Sequence, residues 1–241
     1  MRNKSISVVL PAYNEQDNIE EAVESIYEYL THEFSDFEII VVDDGSSDDT
    51  AKKVKALQKK KPYIHLIRHE ENRGYGSALR SGFTKATKDF VFYTDADNQF
   101  NIVDLQSLLP LSQQYDIISA YRKKRNDPFM RLVTAYVYNV LIKTLFGLRV
   151  RDIDASFKLY KRQVLKDMQL KSQTGLIDAE VLIKAQKKGF SIGQVGVSHY
   201  PRKKGKTMYE VKNGFASLAL VRPQVVIDIF KEIHSLWGEL R

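Results

Sequence analysis

Asp89-Phe90-Val91-Phe92-Tyr93-Thr94-Asp95-Ala96-Asp97-Asn98-Gln99 runs an apolar stretch straight into two carboxylates one residue apart, with an amide oxygen two further on. The apolar part reads as a buried strand. Carboxylate and amide oxygens at its end suit a hard divalent cation, Mg²⁺ or Mn²⁺, which keeps positions open for water and substrate phosphates. A D-x-D triplet is also an ordinary strand-to-turn ending, because Asp is favoured there. The rest of the chain decides between the two readings.

Upstream, strand and helix patterns alternate. Residues 6–10 and 37–42 are apolar runs, 64–68 a third and 90–94 a fourth. Between them, Ile19, Ala22, Val23, Ile26 and Leu30 recur at helical spacing. The Asp43-Asp44-Gly45-Ser46-Ser47-Asp48-Asp49 turn can cap a helix over 50–60, and Gly74 and Gly76 open another helix that runs to Ala86. This rhythm predicts parallel strands with crossover helices, a doubly wound α/β sheet. Ligands of such sheets sit beyond the carboxyl ends of the strands. Residues 11–15, Asp43 with Asp44, and 95–99 all follow strands, so three distant polar turns should meet on one edge. Downstream the pattern is less regular. A helix is expected over 102–111, strands over 116–121, 151–160 (bent) and 192–200, a helix over 181–187, and a helix over 210–237 interrupted near Pro223.

The chain has 241 residues, 43% apolar and 28% charged, enough for a full core in one domain. It has no cysteine, which excludes disulfides and thiolate metal sites. No basic region with an apolar segment precedes the first strand, and no run of about eighteen apolar residues occurs, so neither a signal peptide nor a membrane-spanning helix is expected. A formal charge of +7 and a pI near 9.3 favour anionic partners: phosphates, acidic lipid or nucleic acid.

Each remaining motif has a plain reading beside the functional one. Asp43 and Asp44 can accept hydrogen bonds from a nucleoside, or simply cap the following helix. Gly74 and Gly76 lack the third glycine of a dinucleotide fingerprint, and we read them as permitting a tight turn and close helix–sheet packing. No P-loop and no G-x-S-x-G elbow is present. The five histidines show no metal-ligand spacing. Basic clusters occur at 122–125, at Arg149 and Arg151, at Lys158, Lys161 and Arg162, and at 202–206, where a glycine-containing loop can move over a ligand. Residues 129–148 read equally as a core helix or as a helix in a membrane interface, with Phe129, Met130, Leu132, Tyr136 and Leu145 in lipid.

These residues together resemble family 2 glycosyltransferases of the GT-A fold, and within them the dolichol- or polyprenol-phosphate mannosyl- and glucosyltransferases. The parts are V-V-L-P-A-Y-N-E, V-V-D-D-G-S-S-D-D-T, N-R-G-Y-G-S-A, T-D-A-D-N-Q and R-D-I-D-A-S-F-K, in that order. The resemblance implies a GT-A (Rossmann-like) single domain over 1–209, with a mostly parallel central sheet flanked by helices. A C-terminal helical extension over 210–241 follows, without a transmembrane helix. It implies that Pro11, Tyr13, Glu15, Val42 and Asp44 hold the donor nucleoside. Asp95, Ala96 and Asp97 would meet the diphosphate and its Mg²⁺ or Mn²⁺, with Gln99 completing the metal site. Arg122 would lie near the donor, Arg131 would face the acceptor phosphate, Asp152 would precede the acceptor turn, and Arg202 and Lys206 would lie in the closing loop. Where the family commonly has Ser-Gly-Phe, this chain has Ala155-Ser156-Phe157.

The implied activity is inverting transfer of a sugar, mannose or glucose, from a GDP- or UDP-linked donor to polyprenyl or dolichyl phosphate. It would take place peripherally at the cytoplasmic face of a membrane, with a separate membrane-anchoring partner as an option and no nucleic acid involved. A phosphate acceptor, with a second pKa of about 6, needs positioning more than a base. A hydroxyl acceptor needs a base, for which Asp152 and Asp154 are the candidates. A transferase acting on a soluble or polysaccharide hydroxyl, and a non-catalytic nucleotide-sugar or nucleic-acid binding protein, are the competing readings.

Overall fold

Seven strands form one sheet in the order β3-β2-β1-β4-β6-β5-β7 in the computed structural model. It describes residues 4–124, 129–166, 168–202, 204, 210, 211, 220, 221 and 223–241, without the side chains of 129–131, 210, 211, 220, 221 and 223–226. The strands are β1 (Ser5–Ala12), β2 (Asp36–Asp43), β3 (Ile64–Arg68), β4 (Phe90–Thr94), β5 (Ile117–Arg122), β6 (Phe157–Lys161) and β7 (Ile192–Val197). All neighbours are parallel except β6, which runs antiparallel to both β4 and β5. The result is the expected α/β domain, GT-A-like, with a largely parallel central sheet flanked by helices.

Alternate residues of the central strands feed two cores, as period-two side-chain geometry requires. Val8, Leu10, Ile39, Val41, Phe90 and Phe92 pack with α1 (Ile19–Glu33) and α2 (Thr50–Lys60) on one face. Val9, Ile40, Val42, Val91 and Tyr93 pack on the other face with α3 (Tyr75–Lys85), α5 (Phe129–Phe146), α7 (Ile177–Lys187) and α8 (Pro223–Leu240). Gly82 gives the close helix–sheet approach on α3, since a Cβ there would sit 2.3 Å from Val9 Cγ1.

The second half departs from its sequence pattern in four places. The 102–111 segment is broken into a 3-10 turn, the short helix α4 (Leu105–Leu108) and a second 3-10 turn at Pro110–Gln113. Pro110 accounts for the break, as it lacks the N–H an α-helix needs. Only Phe157–Lys161 of the expected 151–160 strand is extended, and it leads into α6 (Arg162–Lys166). Glu210–Val211 and Leu220–Val221 pair as the small antiparallel strands β8 and β9 rather than extending a helix. Pro223 then begins α8 instead of interrupting it, in keeping with proline's fit to a first helical turn. Among the described residues no helix is long and apolar enough to cross a membrane.

Candidate active site

The chain passes from β1 outward through β2 to β3, then returns to place β4 on the other side of β1. That reversal opens a crevice beyond the carboxyl ends of β1 and β4. Pro11 lies opposite Val42, and Ala12 opposite Asp43. The turns that follow β1 and β4 each carry an asparagine in the left-handed region, Asn14 at φ 54° and Asn98 at φ 59°.

The turn after β1 is stitched to the turn after β2. Asn14 N–H donates to Ser46 Oγ (2.9 Å), Ser47 N–H to Asn14 Oδ1 (2.9 Å), Glu15 N–H to Thr50 Oγ1 (2.9 Å) and Gln16 N–H to Asp48 Oδ2 (3.1 Å). Asp48 also accepts from Thr50 N–H (2.9 Å) where α2 begins. Asp43 and Asp44 do different work. Buried Asp43 accepts from Ser46 N–H (3.1 Å) and pairs with Arg68 (3.1 Å). Asp44 accepts from Arg73 N–H (3.0 Å) and Gly74 N–H (2.9 Å), and His69 Nδ1 lies 2.6 Å from it, with His69 Nε2 2.9 Å from Ser81 Oγ. The expected nucleoside carboxylate thus shapes the loop that enters α3. Histidine spacing gave no hint of His69, whose partners are set by the fold.

Asp95 is held from two sides. Tyr75 O–H donates to its Oδ1 (3.0 Å) and Ser156 O–H to its Oδ2 (2.6 Å). Ser156 stands in the Ala-Ser-Phe departure, and glycine there could not supply this bond. Burial first, and then the charge of Asp97, push the Asp95 carboxyl up to about 7. Asp97 accepts from Gln99 N–H (3.1 Å) and lies 3.6 Å from Arg202 Nη1. Arg202 also grips Glu15 through Nη2, at 2.6 and 2.5 Å. Gln99 gives its side-chain amide to the Tyr200 carbonyl (3.1 Å), and Tyr200 N–H returns a bond to Gln99 O (2.9 Å).

Two crowded carboxylates, one of them driven toward protonation, are chemically suited to a dication, which would offset both burial and mutual repulsion. Among the described residues no group of three His, Asp or Glu side chains gathers in metal-holding geometry. Asp95 and Asp97 would hold the ion together with water and substrate oxygens, and Gln99, whose side-chain NH₂ is on the Tyr200 carbonyl, would add its side-chain oxygen.

A second cluster lies on β5, β6 and the turn before β6. Arg122 forks onto Asp152 at 2.7 Å through both Nε and Nη2. Lys158 has no exposed surface, so the third basic cluster is not an anion-binding surface. Its ammonium meets Asp178 Oδ1 (2.7 Å), the Ala155 carbonyl (2.6 Å) and Tyr93 Oη (3.0 Å). Lys161 of the same cluster pairs with Asp116 (2.9 Å). Asp154 is raised to about 7, by burial and then by Asp152 and Asp178, with Arg122 and Lys158 only partly offsetting them. Tyr13 is half-buried at the mouth, and Ala96 is buried. The side chain of Arg131, on α5, and all of Lys206 lie outside the described residues. Position thus joins Glu15, Asp97 and Arg202 in one contact set, and Asp44, Tyr75 and Asp95 along one loop. The latter was missed in sequence because Tyr75 and Ser156 are twenty and sixty-one residues from Asp95.

Known proteins resemble this chain in sequence and in fold. The chain is 32% identical over 171 residues to the undecaprenyl-phosphate 4-deoxy-4-formamido-L-arabinose transferase of Sodalis glossinidius, covering 70% of this chain and 52% of that protein. It is 30% identical over 168 residues to the enzyme of the same name from Yersinia enterocolitica, covering 68% and 51%. The chain therefore spans about half the length of these curated relatives. Glucosyl-3-phosphoglycerate synthase from Mycobacterium tuberculosis, solved with Mn²⁺, UDP-glucose and phosphoglyceric acid, shares the fold with a TM-score of 0.71 at 19% identity, over 96% of this chain and 80% of that one. Residues 7–169 match the family described as Glycosyl transferase family 2. With the ordered motifs now gathered around one crevice, the chain belongs to glycosyl transferase family 2.

Proposed function

We propose that the protein moves a sugar, with inversion, from a nucleoside diphosphate sugar to a phosphate-bearing acceptor, and that this acceptor is a polyprenyl phosphate. The observation that carries the reading is the meeting of Asp97, of the Asp95–Asp97 couple, with the Arg202–Glu15 pair at the sheet's switch point. Asp95 and Asp97 would hold Mg²⁺ or Mn²⁺, which when bound neutralises charge on the departing diphosphate. Arg202 adds a fixed positive charge beside them, and Asp44 holds the loop that borders the nucleoside side. Pro11, Tyr13, Glu15 and Val42 line the same edge as the donor's other neighbours. Arg122, locked on Asp152, offers a preorganised guanidinium near the donor, Arg131 is the proposed ligand of the acceptor phosphate, and Lys206 is a closing charge.

Support for a lipid acceptor comes from α5. Val133, Tyr136, Val137 and Val140 repeat at helical spacing and are exposed, Tyr136 by 70% and Val137 by 57%. Of the stripe expected from sequence, Tyr136 and Leu145 are exposed and Leu132 is half-buried, the side chains of Phe129 and Met130 lie outside the described residues, and Ile142 is buried in the core. The helix has no acidic residue, and Lys143, Arg149 and Arg151 follow the stripe. An apolar stripe with only cationic neighbours fits the surface of an anionic bilayer. The arabinose transferases named above act, by name, on undecaprenyl phosphate.

A hydroxyl acceptor is the second reading, favoured by one observation. Asp152 is committed to Arg122, but Asp154 titrates near neutrality and so can exchange a proton. Incubation with radiolabelled UDP-glucose or GDP-mannose, Mn²⁺ and polyprenyl phosphate separates the two. Label extracted into organic solvent supports the lipid acceptor. Label confined to water-soluble product overturns it.

A further inference from the structure

We infer that Glu232, on the C-terminal helix and outside the family match, is a positioning residue for the donor site, acting through the 171–174 loop on Tyr75. The inference rests on the proposed donor and metal roles of Asp44 and Asp95.

Four successive amides of that loop are shared between two carboxylates. Lys171 N–H and Ser172 N–H donate to Glu180 of α7, at 2.9 and 2.8 Å. Gln173 N–H (2.7 Å) and Thr174 N–H (3.4 Å) donate to Glu232 of α8, which also accepts from Ser172 O–H (2.5 Å) and Thr174 O–H (2.7 Å). With its donors turned to the carboxylates, the loop presents its carbonyls to the start of α3. Gln173 O accepts from Gly76 N–H (2.8 Å), and Ser172 O accepts from the Arg80 guanidinium (3.0 Å). An N–H of the first helical turn otherwise lacks a partner, so the Gln173 carbonyl acts as a cap for α3.

The approach is as close as backbone permits. A Cβ on Gly74 would sit 2.4 Å from Gln173 O, and one on Gly76 2.4 Å from Ser172 O. The two glycines are therefore required by this loop rather than by helix–sheet packing, and Gly74 also holds φ +93°. Tyr75 lies between them, with its O–H on Asp95 and its neighbour Gly74 N–H on Asp44. The path from Glu232 to both donor-site carboxylates is thus continuous hydrogen bonding and direct contact. Charge on Glu232 polarises the Gln173 and Thr174 peptides and strengthens what their carbonyl side accepts.

The test uses the whole chain and follows binding of UDP and GDP with Mn²⁺ by calorimetry, alongside amide hydrogen exchange without ligand. Glu232→Gln is expected to weaken nucleotide–Mn²⁺ binding by about three- to tenfold and to speed exchange at Gly76 by a similar factor, with exchange in β1 and β4 unchanged. Glu239→Gln, which removes exposed pairs of the same helix with Lys171 and Lys184, should change neither. In a Tyr75→Phe background, the effect of Glu232→Gln on binding should shrink, because the two share the contact with Asp95. If Glu232→Ala does not fold, the Gln variant still carries the measurement. Parent-like binding and exchange in Glu232→Gln, or full additivity with Tyr75→Phe, overturns the coupling while leaving the donor site standing. Absence of nucleotide–Mn²⁺ binding in the parent overturns both.

Discussion

The carboxylates around β1, β2 and β4, the proposed donor side, and those around β5, β6 and α7, the other wall of the crevice, are held in largely different ways. Around β1, β2 and β4, Asp43, Asp44, Asp48 and Glu38 accept from backbone amides, those of Ser46, Arg73, Gly74, Gln16, Thr50 and Thr87. Around β5, β6 and α7, Asp152, Asp178 and Asp116 are each matched to a cationic side chain, Arg122, Lys158 and Lys161, with amides of Arg122 and Ser191 added on Asp152 and Asp116, just as Asp43 adds Arg68 to its amide. Amide-held carboxylates set backbone shape, and losing one loosens a turn. Cation-held carboxylates keep net charge out of a poorly solvated interior, so losing one partner strands the other. The first arrangement suits a site that must fit a defined nucleotide, and the second a site that must tolerate an incoming anion without collapsing.

The largest effect should come from the one place on the donor side where carboxylates crowd each other. Asp97→Asn leaves the turn's shape but removes the charge facing Arg202 and the proposed ion. Sugar transfer is expected to fall by about 10²–10³-fold, and stabilisation by nucleotide with Mn²⁺ should vanish from thermal unfolding while the circular dichroism spectrum is kept. A variant with full metal-dependent activity would remove this pair from the chemistry.

Stability should respond most on the other side. Lys158→Met fits the cavity yet leaves Asp178 without its cation, at a cost of about 3–5 kcal/mol. For a chain of this size that is roughly a 10 °C fall in Tm. Urea unfolding with an unchanged slope and a lower midpoint would show the same loss. A Tm within a degree of the parent would mean that the pair carries no net stability and would weaken the contrast between the two sides.

Asp44→Asn probes the amide-held case. The new NH₂ faces either the Gly74 or the Arg73 N–H, so about 1–3 kcal/mol of stability is at stake. The clearer sign should be local: a KM for donor raised about tenfold with kcat nearly kept, because the loop leading to Tyr75 shifts while Asp97 stays in place. A fall in kcat with KM unchanged would place Asp44 in the transition state instead of in donor binding.

How far each side can be read from sequence follows the same division. The Phe90–Thr94 strand and the Thr50–Lys60 helix lie where apolar runs and Asp-rich turns put them, since a turn's chemistry is local. The D-x-D, Glu15 and Asp44 stood out for the same reason. Tyr75, Ser156 and His69 did not, because each is an unremarkable residue until the sheet brings its partner from far along the chain. Lys158 was misread as part of a basic patch, since nothing near it in sequence announces Asp178 twenty residues later or its burial under Tyr93. In the C-terminal part the hydrophobic pattern continues through 210–221, and pairing between β8 and β9 overrides it.

The most specific effect concerns Asp154. Its carboxyl is raised to about 7 in the fold, whereas an unfolded chain releases that proton near 3.8. Between those values the native state binds more protons than the unfolded state, so this group's contribution to stability declines as pH rises from about 4 to about 7 and is level above. Asp154→Asn removes the titration and keeps the shape. It should match the parent below pH 4 and unfold at a higher temperature than the parent at pH 8. Because Asp95 also titrates near neutrality, only the difference between variant and parent isolates Asp154. A difference that does not change with pH would mean that Asp154 is already ionised in the fold, as a fully cation-held carboxylate is. In that case Asp154 is a weaker base than one titrating near neutrality, and the phosphate acceptor, which needs no base, is the reading that gains.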